Sequence, residues 1–386
     1  MGGAGPTARP TMGAAISLPQ SHPGAGRNLK AMTATLALAS AGGGLASLTP
    51  MPLPWLLGAQ LAVCAAAVAG WRFFGAPPQW PERSRLLFMP VLGVMIGGSF
   101  SAELLGQIPG WWPSVLALFA FLIVAHWAVF LLYRRLGPYD TATAFYAAAP
   151  GGFIESVILG GEAGGNPSII AAQQFSRLLV AVFLIPVAFT LVLGEAVGSA
   201  SGASFARAGA RLDWPDIAML TAAAVIGGFL GRRLKLPAGI LSGPAFLAAA
   251  LHISGLTDAQ PPNLLVNITQ LVVGITLGVR FVGMAKTAIL RAIWLSTLGV
   301  SIMLVIAAAF ALAVAGLSGT GFPALILAFA PGGLAEMSLI ALSLHLPVAF
   351  VTIHHLLRIT FALTVVPFQY RRIVTRLFPD RDAKGG

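Results

Sequence analysis

Two acids and two arginines stand in sequence otherwise too apolar to hold them. Glu155 follows Ala149-Pro150-Gly151-Gly152, and Glu336 follows Ala330-Pro331-Gly332-Gly333. Arg177 and Arg358 come after their acids at one and the same spacing, in the next apolar run. A charge at bilayer depth costs at least a few kcal/mol unless it is paired or neutralised. Glu155 with Arg177, and Glu336 with Arg358, are therefore the expected partners. Two chemistries fit such pairs. They are structural ion pairs, or the acids are proton or cation sites and the arginines are substrate or counter-charge groups. The Pro-Gly-Gly run sharpens the second reading, because it removes a backbone donor and frees the chain to bend. Freed N–H and C=O groups cannot face lipid, so the break must meet water or protein. A helix restarting at Phe153 or Leu334 would aim its positive end at the break. That favours an anionic group on a solute, as at the broken helices of carriers.

Around each break the residue types continue in parallel, with one difference. Gln173-Gln174 precede Arg177, whereas His354-His355 precede Arg358. Helical spacing puts positions four apart on one face, so Gln173 should neighbour Arg177 and His354 should neighbour Arg358. A histidine beside a buried Arg and Glu would titrate near physiological pH and serve coupling, or else make a polar helix–helix contact. The expected substrate- and ion-binding set is Pro150, Gly151, Gly152, Glu155, Gln173, Gln174, Arg177, Pro331, Gly332, Gly333, Glu336, His354, His355 and Arg358. His126 and His252 stand alone in apolar runs and read as satisfied core or interfacial residues.

The elements that carry these residues are duplicated. The offset that takes Pro150 to Pro331 also pairs Gly93, Gly97 and Phe100 with Gly274, Gly278 and Phe281, and Pro186 with Pro367. Matches spread over about ninety residues in one register indicate an internal repeat. Leu53-Pro54 near Gly58 also matches Leu236-Pro237 near Gly243, two residues off that register for the Leu-Pro step. Apolar runs fall in two sets of six: 30–49, 53–71, 86–105, 111–133, the broken 141–160 and 168–193, then 214–231, 237–253, 264–284, 288–316, the broken 321–344 and 347–369. The chain has 386 residues, 57% of them hydrophobic and only 9% charged, far fewer charges than soluble domains carry. Several runs reach the roughly 20 residues that cross a bilayer as a helix. This is an all-α polytopic membrane protein. The net charge of +11 fits an Arg/Lys excess on cytoplasmic loops rather than nucleic-acid binding. Cys64 is the lone cysteine, so neither a disulfide framework nor a cysteine metal site is available.

Charges give the orientation. In the first half Arg72, Arg83 and Arg85, then Arg134 and Arg135, mark one set of loops, and the loops at 49–52 and 106–110 are bare. In the second half Arg232, Arg233 and Lys235, then Lys286 and Arg291, fill the formerly bare loops, and 254–263 and 317–321 carry no Lys or Arg. Positive loops face the cytoplasm, so the repeats are inverted. Inversion needs an odd number of crossings per half. The broken segments, read as re-entrant hairpins at 141–165 and 322–345, leave five crossings each, about ten in all; the rival is a broken helix that crosses fully while some other segment fails to span. The organisation expected is a disordered tail over 1–28, repeat 1 over 29–194, a linker over 195–213, repeat 2 over 214–370 and a basic tail over 371–386. Both termini are expected in the cytoplasm, with the protein in the inner (plasma) membrane. Trp55, Trp71, Trp80, Trp111, Trp112 and Trp214 are expected as an interfacial belt.

Two copies of an apolar module with Ala-Pro-Gly-Gly-x-x-Glu, then Gln-Gln or His-His before an arginine and a later proline, resemble the bacterial AbrB-type membrane duplication family. The resemblance covers nearly the whole chain after residue 30. It implies labels of two kinds, regulator of gene expression and ammonia monooxygenase. The residues support neither directly. No basic soluble module or helix-turn-helix is there to contact DNA, and six histidines show no spacing suited to a copper or iron centre. Expected instead is a secondary transporter, not an enzyme and without cofactor or metal, that affects gene expression indirectly by moving a metabolite. Its partners would be a small anionic or zwitterionic solute, protons or cations as coupling ions, and the lipid bilayer, with no nucleic acid and a homo-oligomer left open.

Overall fold

A computed structural model describes residues 28–49, 51, 53–193 and 213–378; the expected N-terminal tail up to 27, nearly all the linker and the chain beyond 378 lie outside them. Among the described residues the fold is helical throughout, with no strand. In the first half run α1 (Leu29–Ser47), α2 (Pro54–Ala69), α3 (Glu82–Gly97), α4 (Ala102–Gln107), α5 (Trp112–Leu136), α6 (Thr141–Ala148), α7 (Phe153–Glu162) and α8 (Pro167–Leu193). In the second half run α9 (Trp214–Arg233), α10 (Gly239–Ile253), α11 (Asn263–Gly278), α12 (Lys286–Val314), α13 (Phe322–Phe329), α14 (Leu334–Ser343), α15 (Val348–Gln369) and the short α16 (Thr375–Leu377). Among the described residues six stretches are long and apolar enough to cross a membrane: Ala102–Leu136, Pro167–Phe189, Trp214–Arg233, Asn263–Phe281, Lys286–Val314 and Val348–Leu377. The apolar helices α2, α10 and α14 are shorter. This is a membrane protein by length and apolarity of its helices.

Glycines set how these helices meet. A Cβ at Gly97 of α3 would fall 2.6 Å from the Ala248 Cβ of α10, and one at Gly278 of α11 would fall 2.7 Å from the Val63 Cβ of α2. Only a bare Cα fits at either crossing, which is what the two Gly-x-x-x-Gly spacings provide. The partners are exchanged between halves: α3 lies on α10, and α11 lies on α2. The outer helices α1 and α9 pack on α2 and α10 at Gly42 and Gly227, where an added Cβ would come within 2.6 Å of Ala62 Cβ and of Pro244 Cα.

Four local expectations need correction. The run 86–105 is not one helix: α3 stops at Gly97, and α4 starts after Ser101, whose hydroxyl accepts from the Leu104 N–H at 3.4 Å. The bare "loop" at 106–110 is helical, passing through a 3-10 turn at Ile108–Trp111 into α5. The register of the second helices is also different. The left-handed residues that open α2 and α10 are Leu53 (φ 47) and Ala238 (φ 50), so the matching joint lies at Ala238 and not at Leu236. Trp71, Trp112 and Trp214 are exposed as a belt requires, but Trp111 is buried and meets Phe350 edge-on with ring centroids 5.1 Å apart.

Candidate functional site

Each broken segment is two short helices. The eight residues of α6 and of α13 rise about 12 Å at the α-helical pitch, well short of the roughly 30 Å of a hydrocarbon core. Asp140 starts α6 by accepting from the Thr143 N–H at 2.7 Å and the Thr143 hydroxyl at 2.5 Å. The same Thr143 Oγ accepts from the Asn166 N–H at 2.7 Å, just past α7. The chain that leaves at Asp140 thus returns to its own starting point. Between α6 and α7, and between α13 and α14, the Pro-Gly-Gly breaks expose carbonyl oxygens that no helix can use.

Arginines take those carbonyls. Arg177 Nη1 donates to Ala149 O at 2.5 Å, and Arg358 Nη1 donates to Ala330 O at 2.6 Å, the same bond at the same register in both halves. The second arm differs: Arg177 Nη2 donates to Gln174 Oε1 at 2.5 Å, whereas Arg358 Nη2 donates to Gly332 O. Both arginines are buried. The expected ion pairs with Glu155 and Glu336 are not made. The ion pair among the described residues joins Arg280 to Glu82 at 3.5 Å. The buried cations are stabilised by carbonyl dipoles of the break, a solution that a reading of side chains alone does not contain.

The acids themselves are unequal. Glu336 is 5% exposed, while Glu155 is exposed, so the expectation of a buried acid in each half holds only for the second. Glu155 lies on a narrow groove walled by Tyr146, Gly151, Gly152 and, from α15, Ala362, Leu363 and Pro367. Glu336 does not line this groove. The first break nevertheless meets the helix that carries the second half's arginine: a Cβ at Gly151 would lie in van der Waals contact with α15, 3.5 Å from Ile359 Cα and 3.4 Å from Ala362 Cβ.

Of the glutamines and histidines, the inner member of each pair serves the break. Gln174 Nε2 donates to Tyr146 O at 3.0 Å and Ala149 O at 3.2 Å, and His355 Nε2 lies 3.1 Å from Leu327 O. Gln173 and His354 turn away from the arginines, against the four-residue expectation. Gln173 binds Ala292 O at 3.1 Å and Ser296 Oγ at 2.8 Å, and accepts from Tyr139 at 3.2 Å. Tyr139 lies in the loop before α6, where burial raises its hydroxyl pKa and keeps it a donor. His354 bonds Ser114 Oγ at 2.9 Å and Phe350 O at 2.8 Å. His126 and His252 are satisfied by carbonyls, at 3.0 Å from Phe145 O and at 2.8 and 3.0 Å from Ala248 O and Ala259 O. Among the described residues no three His, Cys, Asp or Glu side chains gather as metal ligands do.

Arg280 is the residue missed from sequence. Its guanidinium lies 4.7 Å from the Phe175 ring centroid and 5.7 Å from that of Phe153, the first residue of α7. A single arginine inside the apolar run 264–284 was the available signal.

A bundle of apolar helices, six stretches of it among the described residues long and apolar enough to cross a membrane, with two arginine-braced breaks inside it, defines a polytopic α-helical membrane protein. The family model described as "Transition state regulatory protein AbrB" matches residues 55–374, and the chain belongs to that AbrB family. It is 28% identical over 365 residues to "Uncharacterized protein YhjN" of Bacillus subtilis (strain 168), covering 87% of this chain and 91% of that one. It is 24% identical over 338 residues to "Putative regulator AbrB" of Escherichia coli (strain K12), covering 86% and 93%.

Proposed function

We propose that this protein is a secondary transporter of a small anionic or zwitterionic metabolite in the inner membrane, coupled to protons or cations. It is not an enzyme in this reading, and it influences gene expression only through the solute it moves. The observation that carries the reading is the matched pair of bonds from Arg177 to Ala149 O and from Arg358 to Ala330 O. Polar, interrupted backbone held open inside an apolar bundle, at corresponding places in two halves, is the feature that marks binding sites in carriers built from inverted repeats. With the carbonyls occupied by arginine, the first-turn N–H groups of α7 and α14 have no intrahelical acceptor and favour an anion. Glu155 and Glu336 then serve as the ion sites.

The inverted arrangement of five crossings and one re-entrant hairpin per half is supported by the exchanged loop charges, by the return of the chain from Asn166 to Thr143, and by the exchanged packing of α3 on α10 and α11 on α2. The name of the Escherichia coli relative favours a second reading, a membrane-embedded regulator of gene expression. Uptake and efflux in proteoliposomes across a panel of carboxylates and amino acids, with and without a proton gradient, separate the two. Saturable, gradient-accelerated flux of at least one solute, lost in Glu155→Gln or Glu336→Gln, is expected. Flux indistinguishable from empty liposomes for the whole panel would favour the regulator.

A further inference from the structure

The two halves hold one backbone joint in two different states. At three matched places they share a left-handed residue: Leu53 and Ala238, Gly70 and Gly255, Gly164 and His345. They also enter the break alike, Ala149 at φ −55, ψ 130 and Ala330 at φ −56, ψ 141. At the second glycine they part. Gly152 is left-handed at φ 68, ψ 64, whereas Gly333 is extended at φ −78, ψ 152. The acid three residues on follows its glycine, exposed at Glu155 and buried at Glu336.

The arginine's second arm distinguishes the same two states. In the first half Arg177 Nη2 rests on Gln174 Oε1, and Gly151 O accepts instead from Ser156 Oγ at 3.3 Å. In the second half Arg358 Nη2 rests on Gly332 O. The residue in the place of Gln174 is His355, and it copies half of the glutamine's work. Its Nε2 donates to Leu327 O as Gln174 Nε2 donates to Tyr146 O, and Tyr146 and Leu327 hold matching places in the two halves. Its Nδ1 is then a lone-pair acceptor, in a side chain with no solvent exposure, and it has no hydrogen-bond partner. A buried acceptor left unpaired is destabilising, so its retention asks for a reason. It lies three residues before Arg358, the same helical step at which Gln174 receives Arg177.

We infer that His355 Nδ1 is the second dock of the Arg358 guanidinium, which moves between it and Gly332 O as Gly333 turns and Glu336 passes from buried to exposed. His355 is on this account a positioning residue. The inference rests on the transporter reading for its use, but the arm's two positions can be tested without transport. The full-length protein in lipid nanodiscs is treated with dicyclohexylcarbodiimide, and adducts at Glu155 and Glu336 are counted by peptide mass spectrometry. The unmodified sequence should react at Glu155 well above Glu336. His355→Gln supplies the amide acceptor of the first half and should raise the Glu336 adduct about tenfold, the shift one ordinary hydrogen bond provides. His355→Leu has no acceptor and should leave Glu336 protected. Gln174→His is the reciprocal test and should lower the Glu155 adduct; it decides alone if the His355 variants do not fold. Unchanged Glu336 protection in a folded His355→Gln protein, equal exposure in His355→Leu, or an unchanged Glu155 adduct in Gln174→His overturns the inference. Responsive adducts without flux of any solute would count against the transporter reading and leave the dock standing.

Discussion

At the scale of single residues, the breaks are held unequally, and that has a measurable consequence. Ala149 O accepts from both Arg177 and Gln174, while Ala330 O accepts from Arg358, which also holds Gly332 O. Arg177→Leu leaves Ala149 O its Gln174 donor and orphans only Gln174 Oε1, but Arg358→Leu strips both the buried Ala330 O and the half-buried Gly332 O. Each orphaned carbonyl costs about 1–3 kcal/mol, so Arg358→Leu should be the more destabilising by at least one such increment. Thermal melts in detergent would read this, and an equal or larger loss for Arg177→Leu would refute it. Gly152 gives a second prediction at this scale. Its left-handed φ excludes a β-branched side chain without strain. An added Cβ would also fall 2.7 Å from Leu363 Cδ2. Gly152→Val should therefore abolish flux while the protein still reaches the membrane, measured by uptake beside membrane-fraction blotting; normal uptake would remove the break from the mechanism. The duplicated Ala-Pro-Gly-Gly-x-x-Glu and the buried arginines were legible in the sequence because residue types carry them. Their bonding was not, because the acceptors are backbone oxygens and an arginine can choose among several within reach. Nor could spacing say that Gln174 and His355, three residues before the arginines, would face the breaks in place of Gln173 and His354.

At the scale of elements, close helix crossings carry the packing. Gly97 against Ala248, and Gly278 against Val63, leave no room for a side chain. Gly97→Val and Gly278→Val should each cost on the order of 1–3 kcal/mol through forced separation of the helices. Gly106→Val and Gly316→Val, at positions where an added Cβ meets nothing within 4 Å, should be near neutral. Melting of the four variants side by side checks this, and a neutral Gly97→Val would mean the α3–α10 contact yields. Which glycines matter was readable from their in-register recurrence. Which helix each one touches was not, since a Gly-x-x-x-Gly face specifies a close approach but no partner. The split of 86–105 into α3 and α4 escaped for a similar reason: an apolar composition continues through Gly97-Gly98 although the hydrogen-bonded helix does not.

At the scale of the whole molecule, the exchanged loop charges predict a topology. In a background with Cys64 replaced by Ala, single cysteines at Arg134 and Arg232 should both be protected from an impermeant maleimide added outside intact cells and labelled in inverted vesicles. Labelling of one from each side would end the inverted reading. The exchanged crossings have a further consequence for how the chain is made. Because α3 finds its seat on α10 and α2 finds its seat on α11, neither half completes its own interior. During synthesis the glycine face of α3 stays unmatched until the whole first half has been made and α10 has followed it. The nascent first half is then a client for membrane chaperones and proteases rather than a folding unit. Residues 1–203 expressed alone should be degraded, and co-expression with 204–386 should rescue both fragments as a co-purifying pair.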